Sequence, residues 1–110
     1  MDTIKRSEIT PVEIGPKRTR YLAYTDNLMV TVIDFEDGPT SEPDPPHAHP
    51  HEQITYVESG EVLFFLGNES TQLGQGDMFT VPPNQPHSIQ LLTKHVRLID
   101  SFTPVREEFI

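Results

Sequence analysis

The 110-residue sequence predicts an all-β domain that closes into a sandwich or a small barrel. Short runs rich in β-branched and aromatic residues recur along the chain, and turn residues separate them at close spacing. Eleven prolines and six glycines suit many tight turns better than long helices. Since no segment carries a convincing helical pattern, a closed all-β architecture is expected.

The predicted strands follow one another from residue 18 onward. They are expected at residues 18–24, 28–35, 53–58, 61–66, 78–81, 88–92 and 96–102. Residues 40–46 hold three prolines, which a central strand does not accept, so this stretch is predicted to be a loop. Residues 1–17 are predicted to form an N-terminal arm that lies against a partner subunit, and residues 18–110 to form the single barrel domain.

Charge and composition narrow the classes of partner. The formal net charge is −9, which disfavours nucleic acid or an anionic membrane surface as a partner. A small anionic ligand remains compatible, because one cation or arginine in a cleft dominates the local field. No apolar run approaches the ~20 residues of a membrane span, and the N-terminus lacks the hydrophobic segment of a signal peptide. A cytoplasmic protein is expected.

Four of the five histidines lie in two segments that most of the chain separates. His47 and His49 are two residues apart, so on an extended strand their imidazoles point to the same face. Gln53 offers an oxygen after a short turn, and His87 brings a third imidazole from another strand. Three imidazoles and one oxygen that converge in a β fold indicate a metal site. The alternative is that these histidines are solvated side chains of a Pro-rich loop.

The two remaining histidines are weaker candidates. Pro50 interrupts the strand, so His51 need not share the face of His49, and we expect it to support the site or to lie at its rim. It remains the second choice as a ligand. His95 lies beside Lys94 in a polar turn and is not assigned to the site.

These two segments resemble the two motifs of the cupin superfamily. The first motif, Gly, His-x-His, Glu and Gly, matches Gly38, His47, His49, Gln53 and Gly60. The second motif, Gly, Pro-x-Gly and His, matches Gly76, Pro82, Asn84 and His87. The resemblance covers about residues 18–109 and implies a single-domain cupin jelly-roll β-barrel.

Three departures from the cupin pattern matter. The spacing from Gly38 to His47 is longer, Asn84 replaces a glycine, and Gln53 replaces a glutamate. Asn tolerates positive φ better than most residues, so the turn is expected to survive. A neutral carboxamide leaves a bound divalent ion at its full charge, which favours use of the metal as a Lewis acid. Zn, Ni, Fe and Mn all accept such an oxygen, so the metal identity stays open.

The C-terminal strand supplies a further pair of candidates. Taken alone, Asp100 caps a strand end and Arg106 pairs with a neighbouring glutamate in solvent. Yet the closing Asp-x-Phe-x-Pro-x-Arg-Glu-x-Phe, together with residues 21–30 and His-x-His-Pro-His-x-Gln, is similar to the KdgF-type cupins of pectin and alginate breakdown. The metal ligands of that family, three His and a Gln, fall on His47, His49, His87 and Gln53. Its functional Asp and Arg fall on Asp100 and Arg106.

This resemblance implies an enzyme that converts 4,5-unsaturated uronate monosaccharides, made by pectin or alginate lyases, into linear keto forms. Arg106 would bind the carboxylate and Asp100 would act as acid and base. Three alternatives stay open: a metal-dependent dioxygenase, a non-catalytic sugar-binding or sensor cupin, and a metal site that only stabilises the barrel. A homodimer with an arm-to-sheet contact is expected, because a small barrel must cover its sheet edges.

Overall fold

The computed structural model describes residues 3–110 and contains nine strands in two antiparallel sheets. The strands are β1 Val12–Gly15, β2 Arg18–Tyr24, β3 Met29–Phe35, β4 Glu52–Ser59, β5 Val62–Leu66, β6 Glu69–Leu73, β7 Met78–Val81, β8 His87–Leu91 and β9 Val96–Thr103. Three-residue 3-10 helices lie at Arg6–Glu8 and Glu107–Phe109, and the described residues contain no α-helix. The predicted all-β jelly-roll class is therefore confirmed.

The last strand is inserted into the middle of the larger sheet. That sheet has the order β1-β2-β3-β9-β4-β7, and the smaller sheet has the order β6-β5-β8. The register pairs Asp100 on β9 with Thr31 on β3 and with Thr55 on β4. Both threonines are almost fully buried, so Asp100 faces the interior between two hydroxyl groups. Residue alternation along the strands thus creates one polar row on the inner face of the sheet.

Apolar side chains fill the rest of the interior. One cluster joins both sheets and consists of Phe35, Val57, Val62, Leu91, Val96 and Leu98. A second cluster contains Phe64, Phe79 and Val81, and the rings of Phe64 and Phe79 stack with centroids 3.9 Å apart. Since the polar row lies on the same strands as the first cluster, packing of that cluster fixes the backbone that carries the row.

Two turns show why particular residues occupy them. Asn84 has a φ of 65°, so the position where the cupin pattern has a glycine keeps its left-handed conformation with an asparagine, as expected. Gly60 has a φ of 82°, and a Cβ there would overlap the carbonyl of His95. The β4–β5 turn therefore requires glycine.

One local prediction is wrong. His47 and His49 do not lie on an extended strand, because within the described chain residues 47–51 form only one isolated bridge, between His47 and His87. Pro45, Pro46 and Pro50 remove backbone donors from this segment, so it cannot pair as a continuous strand. The imidazoles converge through loop geometry instead.

The N-terminal segment takes part in the larger sheet. Of the predicted arm, Val12–Gly15 forms β1 and pairs with β2 of the same chain. The domain division at residue 17 stays a prediction, and residues 1–2 of the arm lie outside the described residues. In the part of the chain that the structure describes, no helix has the length and apolar character needed to cross a membrane.

Candidate metal centre and its cavity

Backbone hydrogen bonds join the two histidine segments directly. The amide of His47 donates to the carbonyl of His87 over 3.0 Å, and the amide of His87 returns a bond of 2.9 Å to the carbonyl of His47. The amide of Asn84 donates to the carbonyl of His49 over 2.7 Å. The left-handed turn at Asn84 therefore helps to hold the His-x-His segment against the start of β8.

Arg18 anchors the loop that leads into the cluster. Its guanidinium donates to Asp37 over 3.0 Å and to Asp44 over 2.7 Å. These two carboxylates raise the pKa of Arg18 against the opposing effect of burial. Because Asp44 lies three residues before His47, this double ion pair restrains the approach of the histidine segment to the sheet.

Three imidazoles form a compact cluster at one end of the barrel. Donor atoms of His47, His49 and His87 all lie within 4.8 Å of one another. The ring centroids of His47 and His87 are 4.2 Å apart, and those of His49 and His87 are 4.8 Å apart. His49 and His87 are buried, whereas His47 is exposed. This cluster could hold a metal ion.

The hydrogen bonds of His87 leave its second nitrogen free to act as a ligand. Its Nδ1 lies 2.9 Å from the carbonyl of Gln85, which fixes the proton on Nδ1 in the neutral ring. Its Nε2 is buried, carries a lone pair and has no hydrogen-bond partner among the described residues. A buried acceptor without a donor is costly, and a cation at this point would satisfy it.

His49 and Gln53 give a second, independent fit. The Nδ1 of His49 donates to the carbonyl of His51 over 2.9 Å, so its Nε2 presents a lone pair. Opposite it, 3.1 Å away, lies the Oε1 of Gln53. The amide of Gln53 cannot be reversed without loss, because its Nε2 donates to the Oγ1 of Thr55 over 2.9 Å. Two lone pairs that face each other fit a shared cation.

A chain of hydrogen bonds links this pair to Asp100. The Oγ1 of Thr55 accepts from Gln53 and donates to the Oδ1 of Asp100 over 2.6 Å. The Oδ2 of Asp100 accepts a longer bond of 3.3 Å from Thr31. The carboxylate is therefore held in one orientation and is connected to the histidine cluster through two side chains.

The titration of these groups is shifted by their surroundings. Partial desolvation of its ring within the cluster, then the charges of His87 and His49, lower the pKa of His47 to about 4, although the residue as a whole is exposed. Burial likewise lowers the pKa of His87. Burial raises the pKa of Asp100, although the bonds from Thr55 and Thr31 oppose the rise. The neutral form of the His47 and His87 imidazoles, the form that binds a metal, is thus favoured, while Asp100 is favoured as a proton carrier.

The cluster opens into a cavity of ≈ 460 Å³ inside the barrel. Its lining includes His47, His87, Gln53, Asp100 and Arg106, so the structure brings these predicted site residues together. The volume falls within the range of ~300–1,000 Å³ found for small-molecule sites. His49 belongs to the same cluster, and its Nε2 lies 3.1 Å from the Oε1 of Gln53, which lines the cavity.

Arg106 lies where the chain leaves β9. Its Nε donates to Glu108 over 2.8 Å, as expected if Arg106 pairs with a neighbouring glutamate in solvent. Its side chain, however, is only 19% exposed. The guanidinium stacks on the ring of Phe109 at 4.3 Å. Arg106 is therefore both ion-paired at the surface and part of the cavity wall.

The histidines outside the predicted ligand set have other contacts. His51 is buried, offers its carbonyl to His49, and lies with its ring 5.5 Å from that of His49. It is not a member of the three-histidine cluster, which agrees with a supporting position. His95 lies away from the cavity and pairs with Glu36 over 2.6 Å.

Sequence reasoning assigned no role to four residues around the site. They are Thr31 and Thr55, which hold Asp100, and Arg20 and Phe109, which line the cavity together with Arg106. Strand parity was the available signal, because Thr55 shares the face of Gln53 on β4. It could be used only once the register between strands was known.

Comparison with known proteins identifies the family of this chain. The model of the cupin domain family matches residues 32–102. The pectin degradation protein KdgF of Dickeya dadantii (strain 3937) is 32% identical over 97 residues, which cover 87% of this chain and 84% of that protein.

Two solved structures superpose over nearly their whole length. KdgF from Halomonas sp. has a TM-score of 0.87 at 29% identity, covering 99% of this chain and 100% of that chain. An RmlC-like cupin from Shewanella frigidimarina NCIMB 400 has a TM-score of 0.86 at 32% identity, covering 97% and 94% respectively.

Proposed function

We propose that this chain, which belongs to the cupin domain family, is a metal-dependent enzyme of KdgF type. Its substrates would be 4,5-unsaturated uronate monosaccharides released by pectin or alginate lyases, and its products the linear keto forms. The proposal transfers the role named for the Dickeya relative, a pectin degradation protein, to a chain that is 32% identical to it.

The observation that carries the proposal is the hydrogen-bond chain from Gln53, whose Oε1 faces the Nε2 of His49, to Asp100. Gln53 donates to Thr55, and Thr55 donates to the carboxylate. A metal site that only stabilised the barrel would not need a carboxyl group of raised pKa in the same cavity. The arrangement matches an acid–base reaction beside a cation.

The predicted ligands are His47, His49, His87 and Gln53. A divalent ion held there would supply Lewis-acid polarisation of substrate oxygens, with Zn, Ni, Fe or Mn all compatible with this donor set. Gln53 keeps the ligand set neutral, and its amide is oriented by Thr55.

Asp100 is assigned the proton transfer. In its protonated form it delivers a proton to C4 of the enol ether while water bonds to C5, and the carboxylate takes up the proton that this water loses, which leaves a hemiketal. The bond between C5 and the ring oxygen then breaks: Asp100 gives its proton to the departing ring oxygen and takes the proton of the C5 hydroxyl as C5 becomes the ketone carbon. Atoms balance, because each step moves one proton off Asp100 and one proton back onto it, and one water is added.

Arg106 is assigned the uronate carboxylate. A planar guanidinium forms two parallel hydrogen bonds with a carboxylate, and the ring of Phe109 holds its plane in place. The bond of Arg106 to Glu108 uses only its Nε edge, so the remaining donors stay available. Binding of the acid group beside C5 would place the double bond near Asp100.

The test follows the ultraviolet absorbance of the conjugated double bond. A lyase freshly releases unsaturated uronate from pectin or alginate, and its disappearance is recorded with and without metal-loaded protein. We expect a rate well above the unaided rate and no oxygen uptake. A rate equal to the unaided one with both sugars would refute the enzyme, and stoichiometric oxygen uptake would favour a dioxygenase.

We further propose that two copies associate through the outer face of the larger sheet. Exposed apolar side chains lie there on neighbouring strands, with Val30 at 40%, Ile54 at 46%, Tyr56 at 40% and Met78 at 60% exposure. The register places Ile54 and Tyr56 beside β7 and β9, which makes the patch continuous. An adjoining groove of ≈ 560 Å³ extends the patch.

Light scattering tests the association. We expect a homodimer at micromolar concentration, and we expect Ile54→Lys to give monomers with unchanged metal content. The predicted arm-to-sheet contact would place residues of the arm on the neighbouring copy. A wild-type monomer would refute the association through this face.

A further inference from the structure

Arg20 is a cavity residue for which the proposed reaction has as yet no role. It lies on β2 with the same strand parity as Arg18, and both side chains line the cavity. Its guanidinium lies over the ring of Phe109, 4.0 Å from the centroid. Arg106 stacks on the same ring at 4.3 Å. One phenyl ring thus positions two guanidinium groups at one end of the cavity.

The three arginines of the cavity differ in their partners. Arg18 is saturated by Asp37 and Asp44, and Arg106 has one bond to Glu108, which is 55% exposed. Within residues 3–110, no carboxylate lies within ion-pair distance of Arg20, whose Nε is buried without a hydrogen-bond partner. In a chain of net charge −9, a partly buried arginine without an acid is unexpected.

The charges around Arg20 also favour a bound anion. Burial, followed by the charge of Arg106, lowers the pKa of the Arg20 guanidinium, so two cations repel each other in this part of the cavity. Such repulsion destabilises the folded state of the free protein. An anion placed between the two groups would remove the repulsion and would satisfy the unused donors.

We propose that Arg20 is a second carboxylate-binding residue, which together with Arg106 forms a two-guanidinium subsite walled by Phe109. The subsite rests on the proposed function, because the carboxylate it would take is the acid group of the uronate. It makes the negative charge of the sugar, and not only its ring, a requirement for binding. Neutral sugars of the same shape would be bound poorly.

The variants are Arg20→Gln, Arg20→Lys and a matched control, Arg6→Gln. Arg6 is an exposed arginine that stacks on Tyr21, so its loss changes the net charge equally without touching the cavity. Metal content and melting temperature are measured first on each full-length, metal-loaded protein. Removing one of two repelling cations is expected to leave the fold at least as stable.

Two readouts separate the subsite from the reaction. Calorimetry measures the Kd of galacturonate, a saturated acid that does not react, against that of galactose, its neutral counterpart. Kinetics measure KM and kcat with unsaturated uronate. We expect Arg20→Gln to weaken galacturonate binding and to raise KM by about 10–100-fold, since charge-assisted hydrogen bonds are lost. Arg20→Lys should recover only part of this, and kcat should fall far less than KM rises.

The outcomes distinguish failure of the subsite from failure of the proposed enzyme activity. Unchanged KM and galacturonate binding in Arg20→Gln, with an active wild type, would overturn the subsite alone. Wild-type protein that binds galacturonate through Arg20 but turns nothing over would retain the subsite and overturn the enzyme. Equal effects of Arg6→Gln and Arg20→Gln would show that the loss of binding follows the net charge of the protein, and would refute the subsite. Wild type that neither binds nor reacts would refute both.

Discussion

Removing the hydroxyl of Thr55 tests whether the predicted metal ligands and Asp100 are coupled. Thr55 is 0% exposed and connects Gln53 to Asp100 through bonds of 2.9 and 2.6 Å. Thr55→Val keeps the side-chain shape but removes this link. The Nε2 of Gln53 then lacks its acceptor, and the Oδ1 of Asp100 lacks its shorter donor.

The magnitude follows from the two bonds lost. A hydrogen bond to a charged carboxylate contributes ~1.5–3 kcal/mol and a neutral one ~0.5–1.5 kcal/mol. The extra apolar burial of valine offsets less than ~1 kcal/mol of this. A net loss of about 1–4.5 kcal/mol in a chain of this length corresponds to a fall in Tm of roughly 4–18 °C, measured on protein from which a chelator has removed the metal.

The pH dependence gives a readout that packing alone would not change. Because the folded chain raises the pKa of Asp100 above its unfolded value, the stability linked to its proton is complete below the unfolded value. That stability is lost as the pH rises through the folded value. Thr55→Val removes a bond that lowers this pKa, so the loss should extend to higher pH. The fall of kcat/KM that accompanies deprotonation of Asp100 should shift to higher pH in the same way.

A matched control is Thr31→Val. Thr31 is 1% exposed, but its bond to Asp100 is longer, 3.3 Å, and none of its hydrogen bonds involves Gln53. We expect a smaller fall in Tm and no change in metal content. If Thr55→Val and Thr31→Val shifted Tm equally and left the pH profile unmoved, the coupling through Thr55 would be wrong.

The remaining predictions concern the metal and the acid. His49→Ala and His87→Ala should each abolish stoichiometric divalent metal, and a chelator should lower the Tm of the wild type but not of these variants, since the ion stabilises only the folded state; retained metal in both would remove the ligand assignment. Asp100→Asn should keep the metal and lower kcat by about 10²–10⁴-fold with little change in KM, as steady-state kinetics and metal analysis would show. Gln53→Glu should keep or tighten metal binding and lower turnover, because its charge partly cancels that of the ion; higher activity or lost metal would contradict this account.

Much of the fold follows from local patterns. Residues 18–24 and 78–81 form strands as predicted, since β-branched and aromatic residues between turn residues favour strands. The His-x-His segment does not, because prolines on both sides remove the donors that a strand needs. Its imidazoles still converge, since two backbone bonds between His47 and His87 replace the predicted strand. The expected outcome was right and its structural cause was different.

The partners of Asp100 and Arg106 lay beyond sequence reasoning. A single strand shows which residues share a face, but not which residue of a neighbouring strand lies opposite. Thr31 and Thr55 are separated from Asp100 by 69 and 45 residues, and only the register of β3, β9 and β4 joins them. Arg20 looks like an ordinary surface charge until Phe109 is placed over it.

Along the strands, the polar row lies between the apolar core cluster and the buried side chains of Met29 and Phe102. On β9, Val96 and Leu98 belong to the core cluster that joins the two sheets, and Asp100 follows two residues later on the same face. Four residues along a strand span about 13 Å, so the polar row is held by a backbone that the cluster already fixes. Substitutions at Asp100 or Thr55 remove hydrogen bonds but leave that cluster packed. These variants should therefore keep the folded barrel, at a lower Tm, while their pH profile and kcat change.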